Sequence, residues 1–425
     1  LKINPLSNQK NSIIINNSIC LRYVFVFYHL FTNTMINSKI LLLKGNIMNI
    51  KIDKKDDVIL KILHYFITEE DYKPIIINGL ENEIWLENMQ SDLKLIRINT
   101  NYIHNEEQLK TDMYKAQSIM KSIKRNTFSL KMNMLNLLLD TGDNVKVIDT
   151  KNIETIKVDE MSDFKKNKVV KEFFPKVSDA ELTDQVDPIE FFKLTEDMNQ
   201  KTIKNEKKLA KIFSQKKPVV TYALIVLNIM VYLFMTLYDL DGTYFYALAN
   251  NYEFVQNGQI YRLLTSMFLH ADIIHIGCNM YALYILGPQV ERYYGKTKFL
   301  LIYLLSGILG SIFSCVFMSA DTISMGASGA IFGLLGSIAY FTYYYRATLQ
   351  GLLRSQVLPV ILLNLAIGFM VPGIDISGHI GGLIGGTLVS MAIGIGDKGR
   401  KTDQINGIIV FILMTFAMLY MVYIK

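Results

Sequence analysis

Apolar residues are distributed unevenly along the 425 residues of the chain. Before about residue 217 apolar and charged positions are mixed, whereas beyond it apolar runs recur at lengths near the ~20 residues that a helix needs to cross a bilayer. We predict seven membrane spans, at residues 219–238, 263–289, 298–319, 327–345, 356–372, 376–395 and 405–424. The pattern therefore indicates a soluble half followed by a polytopic α-helical membrane half at 218–425.

The soluble half shows the pattern of a small α/β domain at residues 48–158. Helices are predicted at 58–67 and 106–140, because apolar residues recur there at helical spacing. Short apolar runs bounded by turn residues predict strands at 74–78, 83–87, 93–98, 145–148 and 153–158. No catalytic or metal-binding spacing occurs here, so we interpret the domain as a cytosolic module for regulation or for binding a partner or ligand. Residues 159–217 are rich in charge and predict a linker.

Residues 1–47 are rich in Asn and Ile and contain an apolar stretch, Tyr23 to Phe31, that is too short to span a membrane. Lys44-Gly45 must be encoded by a purine-rich sequence, which is typical of a ribosome-binding site. This sequence lies shortly before Met48, where translation could begin. We therefore expect residues 1–47 to be an untranslated stretch, and the alternative is a disordered or interfacial leader.

The net charge of +6 is modest, and its placement is more informative than its size. Lys and Arg cluster before the first predicted span and in alternate loops, at 204–217, 291–298, 346–354 and 398–401. By the positive-inside rule, this pattern predicts a multi-pass protein of the cell membrane, with the N-terminal domain in the cytoplasm and the C-terminus outside. A net charge of this size does not indicate a nucleic-acid partner. Two of the three cysteines lie inside predicted spans, which argues against a disulfide framework.

One serine lies between glycines at the head of the fourth predicted span, in Gly326-Ala327-Ser328-Gly329. The sixth span contains His379 and a helical face of small residues, Gly378, Gly382 and Gly386. Glycine faces let membrane helices approach closely, so Ser328 and His379 can come within hydrogen-bonding reach. Packing alone also explains many such glycines, but a histidine inside a membrane span is rare and usually functional. The pair predicts a serine nucleophile with a histidine base.

A further stretch near the outer face places His275 and Asn279 on one helical face. Their side-chain N–H groups suit the stabilisation of an oxyanion. Two alternatives are an asparagine that only packs against a neighbouring helix and a metal site that includes His270. The metal site is the weaker alternative, because the chain has no His-Glu-x-x-His pattern and no closed ligand set. We predict no metal and no cofactor.

Across about residues 218–425 the chain resembles the rhomboid family of intramembrane serine proteases, both in its motifs and in the order in which they occur. The resemblance rests on Tyr261-Arg262, His275-x-x-x-Asn279, Glu291-x-x-x-Gly295, Gly326-Ala327-Ser328-Gly329 and His379-x-x-Gly382-x-x-x-Gly386. Two positions depart from the family pattern: Tyr261 replaces a frequent Trp, and Gly378 replaces a frequent Ala.

The resemblance implies a six-helix rhomboid core with an added seventh helix at the C-terminus. It implies Ser328 as nucleophile, His379 as general base and acid, and an oxyanion site made of His275, Asn279 and the backbone N–H of Ser328. It also implies structural roles for Arg262, Glu291, Gly326, Gly329, Gly382 and Gly386. The expected activity is that of a serine endopeptidase that cuts transmembrane segments of single-pass membrane proteins near the outer face.

Two other classes of function remain to be weighed. A rhomboid-like protein that binds membrane helices without cutting them would be expected to lack the serine or the histidine, and this chain has both. A transporter would need paired charges or interrupted helices near the midplane, whereas the charges here cluster in loops.

Asp375 is the acidic residue near His379 in the sequence. It lies in an outer loop beside Pro372-Gly373, where a solvated turn residue is the simpler interpretation. We therefore predict a Ser-His dyad without a third, carboxylate member.

Overall fold

The computed structural model describes residues 53–75, 77, 80, 82–147, 149–178, 188–213, 217–239, 242–319, 321–346, 348–349, 351–395 and 400–424. The chain divides into two compact units, one up to residue 210 and one from residue 211 onward. The predictions for residues 1–47 lie outside the described residues.

The first unit is built on a five-stranded mixed sheet. Its elements are α1 (Lys54–His64), β1 (Lys73–Ile75), β2 (Glu83–Glu87), β3 (Leu95–Asn99), α2 (Glu106–Asn126), β4 (Met134–Leu138), β5 (Ile153–Lys157), α3 (Met161–Lys166), α4 (Lys168–Phe173) and α5 (Pro188–Phe213). The strands lie in chain order across the sheet. The pairs β1–β2 and β2–β3 are antiparallel, whereas β3, β4 and β5 run parallel.

Apolar side chains cover both faces of this sheet. On one face the core includes Phe66, Ile96 and Leu135, and on the other Leu109 and Met113 of α2 pack against the strands. Residues of the predicted linker also enter the first core: Met161, Phe164, Val170, Phe174, Val177 and Met198. The packed unit therefore continues through much of the stretch that the charge pattern indicated as a linker.

Two predicted elements of this unit are wrong. The helix predicted at 106–140 ends at Asn126, and its last predicted residues form β4 instead. Every residue of β4 is buried, so apolar residues occupy all its positions except Asn136 instead of alternating with polar ones as in a half-exposed strand. Such a run cannot be distinguished from a buried helix by its period alone. The strand predicted at 145–148 is also absent from its described residues, 145–147.

The second unit is helical. Its elements are α6 (Val219–Tyr238), α7 (Thr243–Leu248), β6 (Asn250–Asn251), α8 (Tyr252–Gln256), α9 (Arg262–Thr265), α10 (Ile273–Tyr294), α11 (Lys296–Phe317), β7 (Ile323–Ser324), α12 (Ser328–Tyr344), α13 (Leu358–Met370), α14 (Ile376–Ile393) and α15 (Lys401–Ile424). A π-helical turn, Leu353–Val357, leads directly into α13. The predicted class, a helical membrane protein with a soluble α/β domain, is confirmed.

Within the described residues, five helices have the length and composition to cross a membrane. They are α6, α11, the segment Leu353–Met370, α14 and α15. Helices α10 and α12 occupy the other two predicted positions; α12 is 17 residues long, and α10 contains the polar residues His275, Asn279 and Glu291. The second predicted span began too early. Its helix starts only at Ile273, because the Asp272 side chain caps that end by accepting hydrogen bonds from the backbone N–H groups of Ile274 and His275.

Glycines let α14 pack directly against the backbones of α11 and α12. A Cβ atom added to Gly382 or Gly386 would lie within 3.0 Å of backbone atoms of Gly329 or Gly333, respectively. A Cβ added to Gly310 of α11 would lie 2.7 Å from the carbonyl oxygen of Gly378. At these three glycines no side chain fits between the helices, so backbone contact sets the helix separation there.

Candidate active site

Ser328 is the first residue of α12, and the turn before it depends on Gly326. Gly326 has φ of +114°, a region that side-chain-bearing residues rarely adopt, and its N–H donates to the Ser266 carbonyl at 2.9 Å. A Cβ atom on Gly326 would lie 2.7 Å from Nε2 of His275 and 3.5 Å from Nδ2 of Asn279. The glycine thus lets the turn approach these two side chains.

His379 lies in the first turn of α14 and is buried. Its ring stacks on Phe332, with centroids 4.2 Å apart and planes 14° from parallel. Phe332 follows Ser328 by four positions, so the two residues share one face of α12. The imidazole plane is therefore held by an aromatic ring from the helix that begins with the serine.

Ser328 and His379 line one small cavity. Gly326, Gly329, Ser324 and Asp375 contribute to the same wall. The structure describes no hydrogen bond between the serine hydroxyl and the imidazole. Hydrogen bonds between catalytic side chains often form fully only when substrate binds. The shared cavity shows that the two side chains face the same space.

His275 and Asn279 lie one helical turn apart near the start of α10, as their spacing predicts. Asn279 is buried, and its Nδ2 has no hydrogen-bond acceptor among the described residues. An unpaired buried donor is costly unless a ligand or a reaction intermediate uses it. Because both side chains lie beside the Gly326 turn, they are available to an oxygen atom bound next to Ser328.

The two oxygens of the Asp375 carboxylate accept hydrogen bonds from groups other than the histidine ring. Its Oδ1 accepts a hydrogen bond from the Gly378 N–H at 2.8 Å and caps α14. Its Oδ2 accepts a hydrogen bond from the Ser324 hydroxyl at 2.6 Å. Asp375 therefore ties the start of α14 to strand β7.

Arg262 holds the outer loop together. The guanidinium is buried, donates to the carbonyls of Tyr246 and Ala249 and to the side chain of Gln259, and lies over the Phe254 ring at 4.3 Å. This loop also supplies β6, whose partner β7 leads into the Gly326 turn. Arg262 is thus placed to support the site from a distance.

Glu291 caps the first membrane helix. Its buried carboxylate accepts hydrogen bonds from the backbone N–H groups of Val220 and Thr221 and from the Thr221 hydroxyl, at 2.8 to 3.1 Å. It satisfies donors at the start of α6 that have no partner inside the helix. Glu291 therefore joins α6 to α10.

Two residues of the site, Phe332 and Ser324, were not identified from the sequence, and His270 was considered only as part of a possible metal site. Phe332 had a usable signal, since it follows Ser328 by one helical turn. Ser324 meets Asp375 only through the tertiary fold. His270 is buried with its ring edge-on to His275, at 5.1 Å between centroids. The described residues contain no group of three or more His, Cys, Asp or Glu side chains that could hold a metal ion.

Comparison with known proteins identifies the second unit. The Rhomboid domain model matches residues 257–395. The chain is 29% identical to rhomboid protease GluP of Bacillus subtilis over 364 residues, which cover 81% of this chain and 71% of GluP. It is 36% identical to putative rhomboid protease YdcA of the same organism over 181 residues, or 42% of this chain and 89% of YdcA.

The likeness extends to plants. RHOMBOID-like protein 7 of Arabidopsis thaliana is 39% identical over 147 residues, which cover 33% of this chain and 45% of the plant protein. The GluP alignment, over 364 residues, is long enough to reach well into the soluble unit. The chain belongs to the rhomboid family of intramembrane proteases.

Proposed function

We propose that this protein is a serine endopeptidase of the cell membrane that cuts transmembrane segments of single-pass membrane proteins near the outer face. The observation that carries the proposal is the cavity shared by Ser328 and His379. Loop charges support an orientation with the N-terminal unit in the cytoplasm and the C-terminus outside.

The reaction begins when Oγ of Ser328 attacks the carbonyl carbon of the scissile peptide. A ring nitrogen of His379 takes the hydroxyl proton as the new C–O bond forms. The carbonyl oxygen becomes an oxyanion, which accepts hydrogen bonds from His275, Asn279 and the Ser328 backbone N–H. The unpaired Nδ2 of Asn279 supports this assignment.

Collapse of the intermediate breaks the C–N bond, and His379 gives its proton to the leaving amine. A water molecule then attacks the acyl-enzyme, with His379 again taking a proton, and the hydroxyl of Ser328 is restored. Phe332 keeps the imidazole in place through these steps, since both oxygens of the Asp375 carboxylate already accept hydrogen bonds from Gly378 and Ser324. We therefore assign a Ser-His dyad.

The test is incubation of the protein, reconstituted in vesicles, with a panel of transmembrane peptides, followed by mass spectrometry of the products. Ser328→Ala and His379→Ala should each reduce cleavage by ~10⁶-fold, as loss of a nucleophile or base does in a serine protease. Asn279→Ala should reduce it by about 10²–10³-fold, as loss of one oxyanion donor does. Peptides bound by the parent protein but never cut would contradict the proposal and favour a helix-binding adaptor.

We further propose that the N-terminal unit regulates the protease or recruits a partner. The spacing of its residues supplies no catalytic motif, and the described residues that line the cavity all belong to the second unit. A chain that begins at Lys204 should fold in detergent and cut a permissive peptide. Loss of all activity in a well-folded shortened chain would show that the unit takes part in catalysis.

A further inference from the structure

The loop after α2 turns its polar side chains inward and its apolar side chains outward. Thr127 and Ser129 are buried; their hydroxyls lie 2.9 Å apart, and Thr127 also donates to the carbonyl of Ile123 at 2.8 Å. Phe128 and Leu130, in contrast, are 39% and 93% exposed. Phe128 also has φ of +50°, an unfavourable backbone conformation for a bulky residue. The loop is thus held in a shape that presents two apolar side chains to the surroundings.

Basic residues surround these two apolar side chains. Lys124 and Arg125 in the last turn of α2, and Lys131 just after Leu130, are exposed. Leu95, Met134 and Ile153 are paired across the sheet, so Lys94, Lys131 and Lys151 collect at the same edge. Asp92 is an acidic residue of the neighbouring turn. We call Phe128, Leu130, Lys94, Lys124, Arg125, Lys131 and Lys151 the basic loop edge.

Helix α5 leaves the core of the first unit at this edge of the sheet. Lys201 of α5 donates to the Thr68 carbonyl and pairs with Asp71 at 2.7 Å. Asp71 precedes β1, whose first residue pairs with Glu87, and Glu87 pairs with Leu95. Beyond Lys201 none of the described side chains of α5 is buried. The part of α5 without buried side chains therefore begins at the edge that carries the basic loop.

We propose that the basic loop edge docks on the anionic headgroups of the cytoplasmic leaflet, with Phe128 and Leu130 inserted at the interface. Anionic lipid attracts clustered Lys and Arg side chains, and apolar side chains gain by leaving water at the headgroup boundary. Charge attraction and the insertion of apolar side chains act at the same surface here. The chain also continues from α5 into the membrane helix α6, which limits how far the loop can move from the bilayer. This inference is independent of the proteolytic reaction.

The test uses the full chain in vesicles of phosphatidylcholine, with or without phosphatidylglycerol. Cys20, Cys278 and Cys315 are replaced by Ser, Leu130→Cys carries an NBD fluorophore, and nitroxide lipids serve as quenchers. The matched control is Tyr102→Cys, a 52% exposed aromatic position that follows β3 at the opposite edge of the sheet. We expect quenching at position 130 to rise severalfold with phosphatidylglycerol and to fall at high salt, because screening weakens the attraction. Position 102 should not respond.

A second variant separates charge from folding. Lys124→Glu, Arg125→Glu and Lys131→Glu together change only exposed side chains, and they should abolish the response of the label at position 130. Fluorescence of Trp85, the single tryptophan, reports whether the unit is still folded. Equal, low quenching at positions 130 and 102 in both lipids would overturn the proposal. Protection at position 130 that follows protein density rather than lipid charge would also overturn it, and would indicate contact between copies.

Discussion

The backbone of Gly382 lies so close to Gly329 that a Cβ atom on Gly382 would overlap the Gly329 carbonyl. Gly329 directly follows Ser328, and Gly382 follows His379 by three positions. The contact therefore lies next to both candidate catalytic residues. The separation of α12 and α14, and with it the distance between nucleophile and base, depends on the absence of a Cβ atom at Gly382.

Gly382→Ala should lower the turnover number strongly, because the added methyl must push α14 away from α12. Overpacking of this kind usually costs about 1–3 kcal/mol of stability, and catalysis is sensitive to displacements of about 1 Å. Thermal unfolding and peptide cleavage in detergent measure the two effects. The matched control is Gly277→Ala on α10, where an added Cβ meets nothing within 4 Å. Equal activity of the two variants would show that the glycine contact does not set the site.

Gly326→Ala should damage catalysis more than its backbone strain explains. The new methyl would lie 2.7 Å from His275 Nε2, so it must displace the proposed oxyanion donors. Gly258→Ala serves as the control, because Gly258 has a comparable φ of +90° but nothing within 4 Å of its Cβ position. Melting temperatures should fall similarly in both variants, while kcat falls much further in Gly326→Ala. A similar kcat in both would contradict a role for this contact.

Asp375→Asn should keep activity within about tenfold of the parent, a loss of roughly 1.4 kcal/mol or less in transition-state stabilisation. The asparagine can still accept from the Gly378 N–H, and the imidazole remains stacked on Phe332. Ser324→Ala should have a similarly small effect. Steady-state cleavage kinetics measure both variants. A loss as large as that of His379→Ala, in a protein that still folds, would mean that Asp375 orients the histidine.

Acid should unfold the N-terminal unit partly through Glu83. Burial alone would raise the pKa of Glu83, but the hydrogen bonds and charge of Arg97, together with hydrogen bonds from Trp85 and Lys115, hold that pKa below its ordinary value of 4.5. A lowered folded-state pKa adds stability above about pH 4.5, and this stability is lost as the pH falls through the folded-state value. The free energy of unfolding, followed by Trp85 fluorescence, should decline accordingly.

Glu83→Gln should remove part of this acid dependence and lower stability at neutral pH. Arg97 is fully buried and would lose one of its two carboxylate partners, a change that costs about 3–5 kcal/mol when a buried pair is broken. Trp85 lies within hydrogen-bonding distance of Glu83, at 3.0 Å, so its fluorescence reports on this cluster. Glu107→Gln, an exposed change on α2, is the control. An unchanged pH profile in Glu83→Gln would assign the acid sensitivity to other groups.

The membrane half was the more predictable part of the fold. Long apolar runs and glycine spacing indicated which helices exist and which faces meet, and both features are local in sequence. The start of α10 was missed because an apolar run continues through the short helices before it. Asp272, whose side chain caps α10, was a signal in the sequence for the true start.

The soluble half was less predictable, because its elements are decided by burial rather than by period. Met134–Leu138 forms a strand since β3 and β5 flank it on both sides, a fact that no local pattern contains. The contact between Ser324 and Asp375 joins residues 51 positions apart and likewise depends on the completed fold. The roles of Ser328, His379, His275 and Asn279 remain predictions that the geometry supports.

The most direct measurement asks whether Ser328 is a nucleophile activated by His379. A fluorophosphonate forms a phosphorus–oxygen bond with an activated serine as fluoride leaves, and mass spectrometry of the digested protein locates the adduct. We expect the adduct on Ser328 in the parent protein and in Asp375→Asn, none on residue 328 in Ser328→Ala, and greatly slowed labelling in His379→Ala. An adduct on a different serine, or labelling of Ser328 at the parent rate in His379→Ala, would contradict the assignment of the dyad.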